Sequence, residues 1–275
     1  MSTQFEIQQP VADAGGWRVL APFKVREYRL LIAAVSLSIF ADGMFAVVLA
    51  LQVIELNNDP VSLSIVTTCF GAALVGFVLV GGIAADRINQ RTIIIAVETV
   101  NVIASSTIAV LGLLGVLAIW HLAVGAAALG TAAAFFFPAY SAILPRILPA
   151  DQLLAANGVE GVVRPVFQRA VGPAVAGIVI GATFPSVGAV VVAVLFTIGL
   201  VLLVATRPAV KSHVQEPDRE QPHVLRDLRD GFMFMVKTPW LLWTLLFASM
   251  FVLVVLGPIE VLLPFIANER FEDGA

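Results

Sequence analysis

Long apolar runs separated by short polar segments make up most of this chain. The runs at 30–56, 61–85 and 240–267 are each long enough for one helical crossing of a bilayer, which takes about 20 residues. The run at 92–144 is too long for one crossing, and so is the run at 170–206 together with the residues before it. Each is predicted to fold back into two helices. The pattern therefore predicts an all-α membrane protein with seven spanning helices.

Two predicted turns divide the longer runs. Gly112, Gly115 and the Trp120-His121 pair suit a turn at the membrane interface, where Trp is enriched. The segment from Phe184 to Ser186 contains a proline and suits the second turn. These turns separate the third helix from the fourth and the fifth from the sixth.

Composition supports lipid as the solvent of these helices. The chain is 59% hydrophobic and 13% charged, with a mean hydropathy of +0.96. Soluble domains average about 45–50% apolar and about 25% charged residues. The single cysteine, Cys69, excludes an internal disulfide and a metal site built from several cysteines. No cofactor or metal is predicted.

Four segments follow from this pattern. Residues 1–28 are predicted to be a cytoplasmic tail, because they lack the basic start, apolar core and cleavage site of a secretory signal. Residues 29–207 form the six-helix bundle. Residues 208–238 are a charged cytoplasmic linker whose apolar residues recur every three or four positions, which predicts an amphipathic helix. Residues 239–268 contain the seventh helix.

The basic residues predict the orientation. With the N-terminus in the cytoplasm, thirteen of the sixteen Lys and Arg fall on the cytoplasmic side. Positively charged loops are retained on that side during insertion. The thirteen are Arg18, Lys24, Arg26, Arg29, Arg87, Arg91, Arg146, Arg207, Lys211, Arg219, Arg226, Arg229 and Lys237.

The loop between the second and third helices carries a motif. Asp86 ends an apolar helix, where it meets the negative end of the helix dipole and needs another partner. The stretch "GIAADRINQR" resembles the loop signature of the major facilitator superfamily, with matches at Gly82, Asp86, Arg87 and Arg91. The resemblance implies a latch between two six-helix halves, and the chain looks truncated after the seventh helix.

The same loop departs from the family pattern at two positions. Asn89 replaces a glycine, and Asn is expected there because it tolerates a left-handed turn. Gln90 replaces a basic residue, which is expected to weaken that end of the latch.

Two further stretches resemble one subgroup of this family. "FFFPAYSAILPRILPADQLLAANGV", at 135–159, is similar to drug and siderophore exporters such as the enterobactin exporter. "RAVGPAVAG", at 169–177, resembles the Gly-Pro hinge of proton-coupled antiporters, with Gly172, Pro173 and Gly177 at the matching positions. Gly172, Ala176 and Gly177 are also expected to form a packing face of small residues. The arginine that many members carry in the fourth helix is missing.

Charged residues inside the helices are candidates for a proton and substrate pathway, because a charge at mid-membrane is costly. Asp42 either faces a cavity or is held by a neighbouring Arg or hydroxyl, and Arg169 is its predicted partner. Glu160 and Arg164 are four residues apart and are predicted to neutralise each other. Glu260 lies between Pro258 and Pro264 and either packs among helices or lines the pathway.

A further acid, Glu98, is expected to extend toward the cytoplasmic interface instead.

The resemblance implies a secondary active transporter of a bacterial plasma membrane, a proton-coupled exporter of hydrophobic or amphipathic small molecules. Its expected partners are the substrate, protons and the bilayer, with no nucleic acid, and a second half is expected for function. A lysophospholipid transporter and a non-transporting scaffold remain alternatives. A retinal photoreceptor is excluded because 240–267 has no lysine, and an enzyme because no catalytic cluster is present.

Overall fold

The computed structural model describes residues 20–206, 233–259, 261–263 and 266. Within these residues the chain is helical and contains no strand. Seven of its helices are long and apolar enough to cross a membrane, as the sequence predicts. They are α1 Arg26–Asn57, α2 Pro60–Arg87, α3 Gln90–Leu113, α4 Ile119–Ile147, α5 Ala150–Gly181, α6 Pro185–Ala205 and α7 Pro239–Leu263.

Polar residues in the short loops define where the helices begin and end. Asn58 ends α1 in the left-handed conformation, with φ of 38°. Asp59 then begins α2 by accepting a hydrogen bond of 3.1 Å from the Val61 N–H, and Pro60 occupies the first helical position. The Asp59 side chain pairs a backbone N–H that has no partner within the helix. Proline suits the first helical position because it has no N–H to pair there and its φ is already helical.

The turn between α3 and α4 is shorter than predicted. Gly115 makes the turn at φ of 69°, a conformation that glycine adopts without strain. Trp120 and His121 already lie in the first turn of α4 and not in the loop. The Nδ1 atom of His121 accepts a hydrogen bond of 3.0 Å from the Ala118 N–H, so this histidine caps α4.

The first six helices form one bundle. Helix α1 packs against α5 and α6, α3 packs against α6 and α4, and the most extensive interface joins α2 to α4. Two glycines allow α2 and α4 to pack closely. A methyl group at Gly81 would lie 2.2 Å from the Ala134 carbonyl oxygen, and one at Gly130 would lie 2.2 Å from the Phe70 carbonyl oxygen.

Helix α5 contains a π-helical segment, Phe167–Val171, directly before Gly172 and Pro173. The Gly172 N–H donates to the Phe167 carbonyl five residues earlier. Proline has no N–H, and its ring displaces the carbonyl four residues before it, so the helical ladder shifts at this point. Helix α7 repeats the pattern at Val252–Leu256, where the Gly257 N–H donates to the Val252 carbonyl ahead of Pro258.

Helix α7 is set apart from the bundle. None of its described side chains is buried, and its described residues make no substantial packing contact with α1–α6. Of the predicted amphipathic helix, only 233–237 are described, and these residues are helical. The rest of that prediction lies outside the described residues.

Candidate functional site

The predicted ion pair between Glu160 and Arg164 is present on α5. An Nη2 atom of Arg164 lies 2.6 Å from Glu160 Oε1, and both side chains are about one-fifth to one-quarter exposed. This spacing brings the two side chains to the same face of the helix, with the acid toward the N-terminus. Among the residues that the structure describes, this is the only ion pair.

Helix α4 supplies aromatic rings to the same place. The guanidinium carbon of Arg164 lies 5.0 Å from the ring centroid of Phe137, which is the geometry of a cation–π contact. Phe136 packs edge-on against Phe137 at 5.8 Å and stacks on Tyr140 at 5.5 Å. Tyr140 is buried next to Glu160.

Asp42 completes this group from α1. Its side chain is exposed, and Arg164 is the cation close enough to act on its charge. We call Asp42, Phe137, Tyr140, Glu160 and Arg164 the Arg164 cluster. It combines two acids, one base and two aromatic rings where α1, α4 and α5 meet.

The predicted pair between Asp42 and Arg169 is wrong. No ion pair joins them, and Arg169 is exposed within the π-helical segment. The reason lies in how α5 meets α1. A methyl group at Gly43 would lie 2.7 Å from the Phe167 carbonyl oxygen and 2.6 Å from that of Gln168, so α5 meets α1 through its backbone at this point.

A pocket of about 360 Å³ opens beside the cluster on α5. Asn157, Glu160, Gly161, Arg164 and Pro165 line it. All five residues belong to α5, so the space is an open depression along one helix and not an enclosed cavity. The ion pair therefore lies at an open surface of the bundle.

The hinge residues of α5 differ in their surroundings. Gly172 is buried, and a methyl group there would lie 2.9 Å from the Phe40 carbonyl oxygen. Ala176 is also buried, one turn further along. Gly177 is exposed with no atom within 4 Å, so it does not belong to the predicted packing face. Pro173 is half-buried and accounts for the break in the helix.

Part of the motif in the loop after α2 is exposed on the surface of the bundle. Asp86 and Arg87 are exposed, and neither has a side-chain hydrogen bond or ion pair among the described residues. Gly82 has no atom within 4 Å of an added methyl group. These three residues are therefore accessible to another element, and the latch itself stays a prediction.

Arg91 has a different environment from the other motif residues. Its Nη2 atom donates to the carbonyl oxygens of Thr206, at 2.8 Å, and Val204, at 3.0 Å. These carbonyls end α6, where a positive charge is favourable. Arg91 therefore joins α3 to α6 within the bundle, a role that sequence reasoning missed.

The two departures from the motif cap helices. Asn89 has φ of −59°, so the expected left-handed turn is wrong. Its side chain accepts a hydrogen bond of 3.0 Å from the Arg91 N–H and begins α3. Gln90 is buried and donates a hydrogen bond of 2.6 Å to the Ala85 carbonyl near the end of α2.

Two other acids complete the set of candidates. Glu98 is buried within α3 and does not extend to the interface as expected. The buried residues of α3, among them Ile94, Asn101 and Ser105, recur every three or four positions, so helical periodicity placed Glu98 on this face. Glu260 lies outside the described residues.

The described residues contain no group of three His, Cys, Asp or Glu side chains that could hold a metal ion.

These features define a polytopic membrane protein with charged and aromatic side chains gathered where α1, α4 and α5 meet. The sequence profile of the Major Facilitator Superfamily matches residues 31–274, and the chain belongs to this family of membrane transporters, which are not enzymes. It is 24% identical over 220 residues to "Uncharacterized MFS-type transporter YfiS" of Bacillus subtilis (strain 168). That similarity covers 79% of this chain and 51% of the relative, so the chain spans about half the relative's length. No solved structure matches the chain significantly.

Proposed function

We propose that this chain provides one half of a secondary active transporter that exports hydrophobic or amphipathic small molecules in exchange for protons. The observation that carries the proposal is the Arg164 cluster, which places charged and aromatic side chains together at the meeting point of α1, α4 and α5. Charges within membrane helices are retained mainly where they serve a substrate or ion pathway. Family membership supplies the mechanism of alternating access.

The chemistry of the cluster favours an amphipathic substrate. Phe137 is 46% exposed and offers an aromatic surface, while Glu160 and Arg164 beside the pocket offer hydrogen-bonding and charged groups. Ligand sites generally combine an apolar lining with a few polar groups that orient the ligand. Drugs and siderophores fit this description.

Asp42 is the proposed proton carrier of the exchange. It is the exposed acid of the cluster, and Arg164, the cation near it among the described residues, is already paired with Glu160. A carboxylate that is accessible and not fully neutralised can accept and release a proton as the site opens to either side of the membrane.

A proton-flux experiment tests this assignment in proteoliposomes containing the transporter with both halves. We expect Asp42→Asn to abolish proton flux stimulated by a cationic dye or a siderophore, with normal insertion. Glu55→Gln is the matched control, because Glu55 is an exposed acid near the C-terminal end of the same helix, and it should transport normally. Stimulated flux that survives in Asp42→Asn would exclude Asp42 as the carrier.

The same vesicles separate the alternatives. Flux stimulated by lysophospholipid and by none of the dyes or siderophores would favour a lysophospholipid transporter. Flux that no compound stimulates would favour a scaffold. Either result would overturn the exporter assignment.

The exposed loop is proposed to act with the second half of the transporter. Asp86 lies at a helix end where its own dipole disfavours it, so a helix N-terminus or a cation on another element would stabilise it. Gly82 leaves space for such an element to approach. The proposed orientation has this loop and the N-terminus in the cytoplasm of a bacterial cell, with the chain in the plasma membrane.

A further inference from the structure

Helix α3 buries an acid away from the Arg164 cluster. Glu98 is 1% exposed and lies on α3, which packs against α6. A methyl group built at Gly199 of α6 would lie 3.9 Å from Glu98 Oε2 and 3.1 Å from the Oγ atom of Ser38 on α1. Glycine at 199 therefore leaves space beneath α6 for both the carboxyl group and the hydroxyl group.

Among the residues that the structure describes, no cation neutralises this carboxyl group. The described residues hold no ion pair to Glu98, and its Oε2 atom has no hydrogen-bond partner. Helix α6 has no titratable side chain, and the titratable groups of α4 are Tyr140, which faces Glu160, and His121 and Arg146 near its ends. The charged group that faces Glu98 from α1 is Asp42, which is another acid.

The neighbouring hydroxyl group fixes which form of the acid fits. Ser38 Oγ donates to the Ala34 carbonyl oxygen at 3.1 Å, which leaves its lone pairs available to accept a hydrogen bond. An ionised carboxylate has acceptors alone and would face this oxygen without a proton between them. A carboxylic acid has an O–H group that it can donate.

We propose that Glu98 is a proton-binding site that holds one proton in this conformation, as a carboxylic acid whose O–H group donates to Ser38 Oγ. An ionised carboxylate without a partner is costly in an apolar interior, whereas the neutral acid is tolerated there. Asn101 is buried three residues further along the same face of α3. The proton is released when water reaches Glu98, which requires α1 and α6 to separate at Ser38 and Gly199.

This site is independent of the transport proposal, because it needs only the folded six-helix bundle. The measurement is infrared spectroscopy of the purified chain in lipid nanodiscs at neutral pH, in the C=O stretching region of protonated carboxylic acids. We expect a band in the wild-type chain that disappears in Glu98→Gln, a neutral side chain of nearly the same size. Glu55→Gln is the control and should retain the band, because Glu55 is exposed to solvent.

A second variant keeps the test decisive if Glu98→Gln does not fold. Ser38→Ala removes the proposed acceptor, so the band should remain and move to higher frequency. A wild-type chain without the band, a band that Glu98→Gln retains, or a band that Ser38→Ala leaves at the same frequency would each overturn the proposal.

Discussion

The contact between α2 and α4 gives a sharp test of how this bundle is held together. Gly81→Ala adds a methyl group 2.2 Å from the Ala134 carbonyl oxygen, whereas ordinary contacts begin at 3.4 Å. The obstacle is backbone, which no side-chain rotation can move. The two helices must therefore separate along the most extensive interface of the bundle.

The magnitude follows from two opposing effects. Overpacking a tight contact costs typically about 1–3 kcal/mol. Replacing glycine by alanine within a helix returns up to about 1 kcal/mol through higher helix propensity. The net loss is then up to about 2 kcal/mol, which corresponds to a fall in Tm of several degrees for a chain of this size, at about 2–4 °C per kcal/mol.

The adjacent glycine provides the control. Gly82→Ala adds the same methyl group one position along α2, where no atom lies within 4 Å. Thermal unfolding of the purified variants in detergent should show a lower Tm for Gly81→Ala and an unchanged or higher Tm for Gly82→Ala. Gly130→Ala, which meets the Phe70 carbonyl oxygen at 2.2 Å in the same interface, should behave like Gly81→Ala. Equal Tm values for Gly81→Ala and Gly82→Ala would refute the reasoning.

Three other predictions concern the loop between α2 and α3 and the proposed orientation. Arg91→Ala should lower stability by about 1–3 kcal/mol in denaturant titrations, since it removes charged hydrogen bonds to the end of α6, whereas exposed Arg87→Ala should not. Asp86→Asn should impair transport in the two-half protein while expression and insertion stay normal, and wild-type transport would contradict the latch. Reporters inserted after Arg87 and at Gly115 should be active on the cytoplasmic and the outer side respectively, and the reverse result would contradict the orientation.

The sequence predicts the number and approximate ends of the helices because membrane crossing depends mainly on run length and charge. The runs at 30–56 and 61–85 correspond to α1 and α2 within a few residues. The ion pair of Glu160 and Arg164 could also be predicted from the sequence, because both residues lie on one helix and their spacing fixes their relative position.

Contacts between helices were harder to predict, because sequence spacing does not give the rotation of one helix against another. Similar depth in the membrane made Arg169 a reasonable partner for Asp42, but α5 meets α1 through backbone near Gly43. The same limit applies to the glycine pair after Val80. The pattern shows that small residues end α2, whereas only the packing shows that Gly81 faces α4 and Gly82 does not.

The break in α5 connects the packing to the proposed chemistry. The π-helical segment and Pro173 interrupt the regular hydrogen-bond ladder of α5, and α1 contacts α5 at this point through Gly43. Asp42 is the neighbour of Gly43, so bending of α5 must displace Asp42 relative to Arg164. The α7 segment before Gly257 and Pro258 has the same local chemistry, but its described side chains are not buried against another helix. A Gly-Pro pair therefore creates a point of bending in both helices, and only in α5 does the described packing link that bending to a charged group.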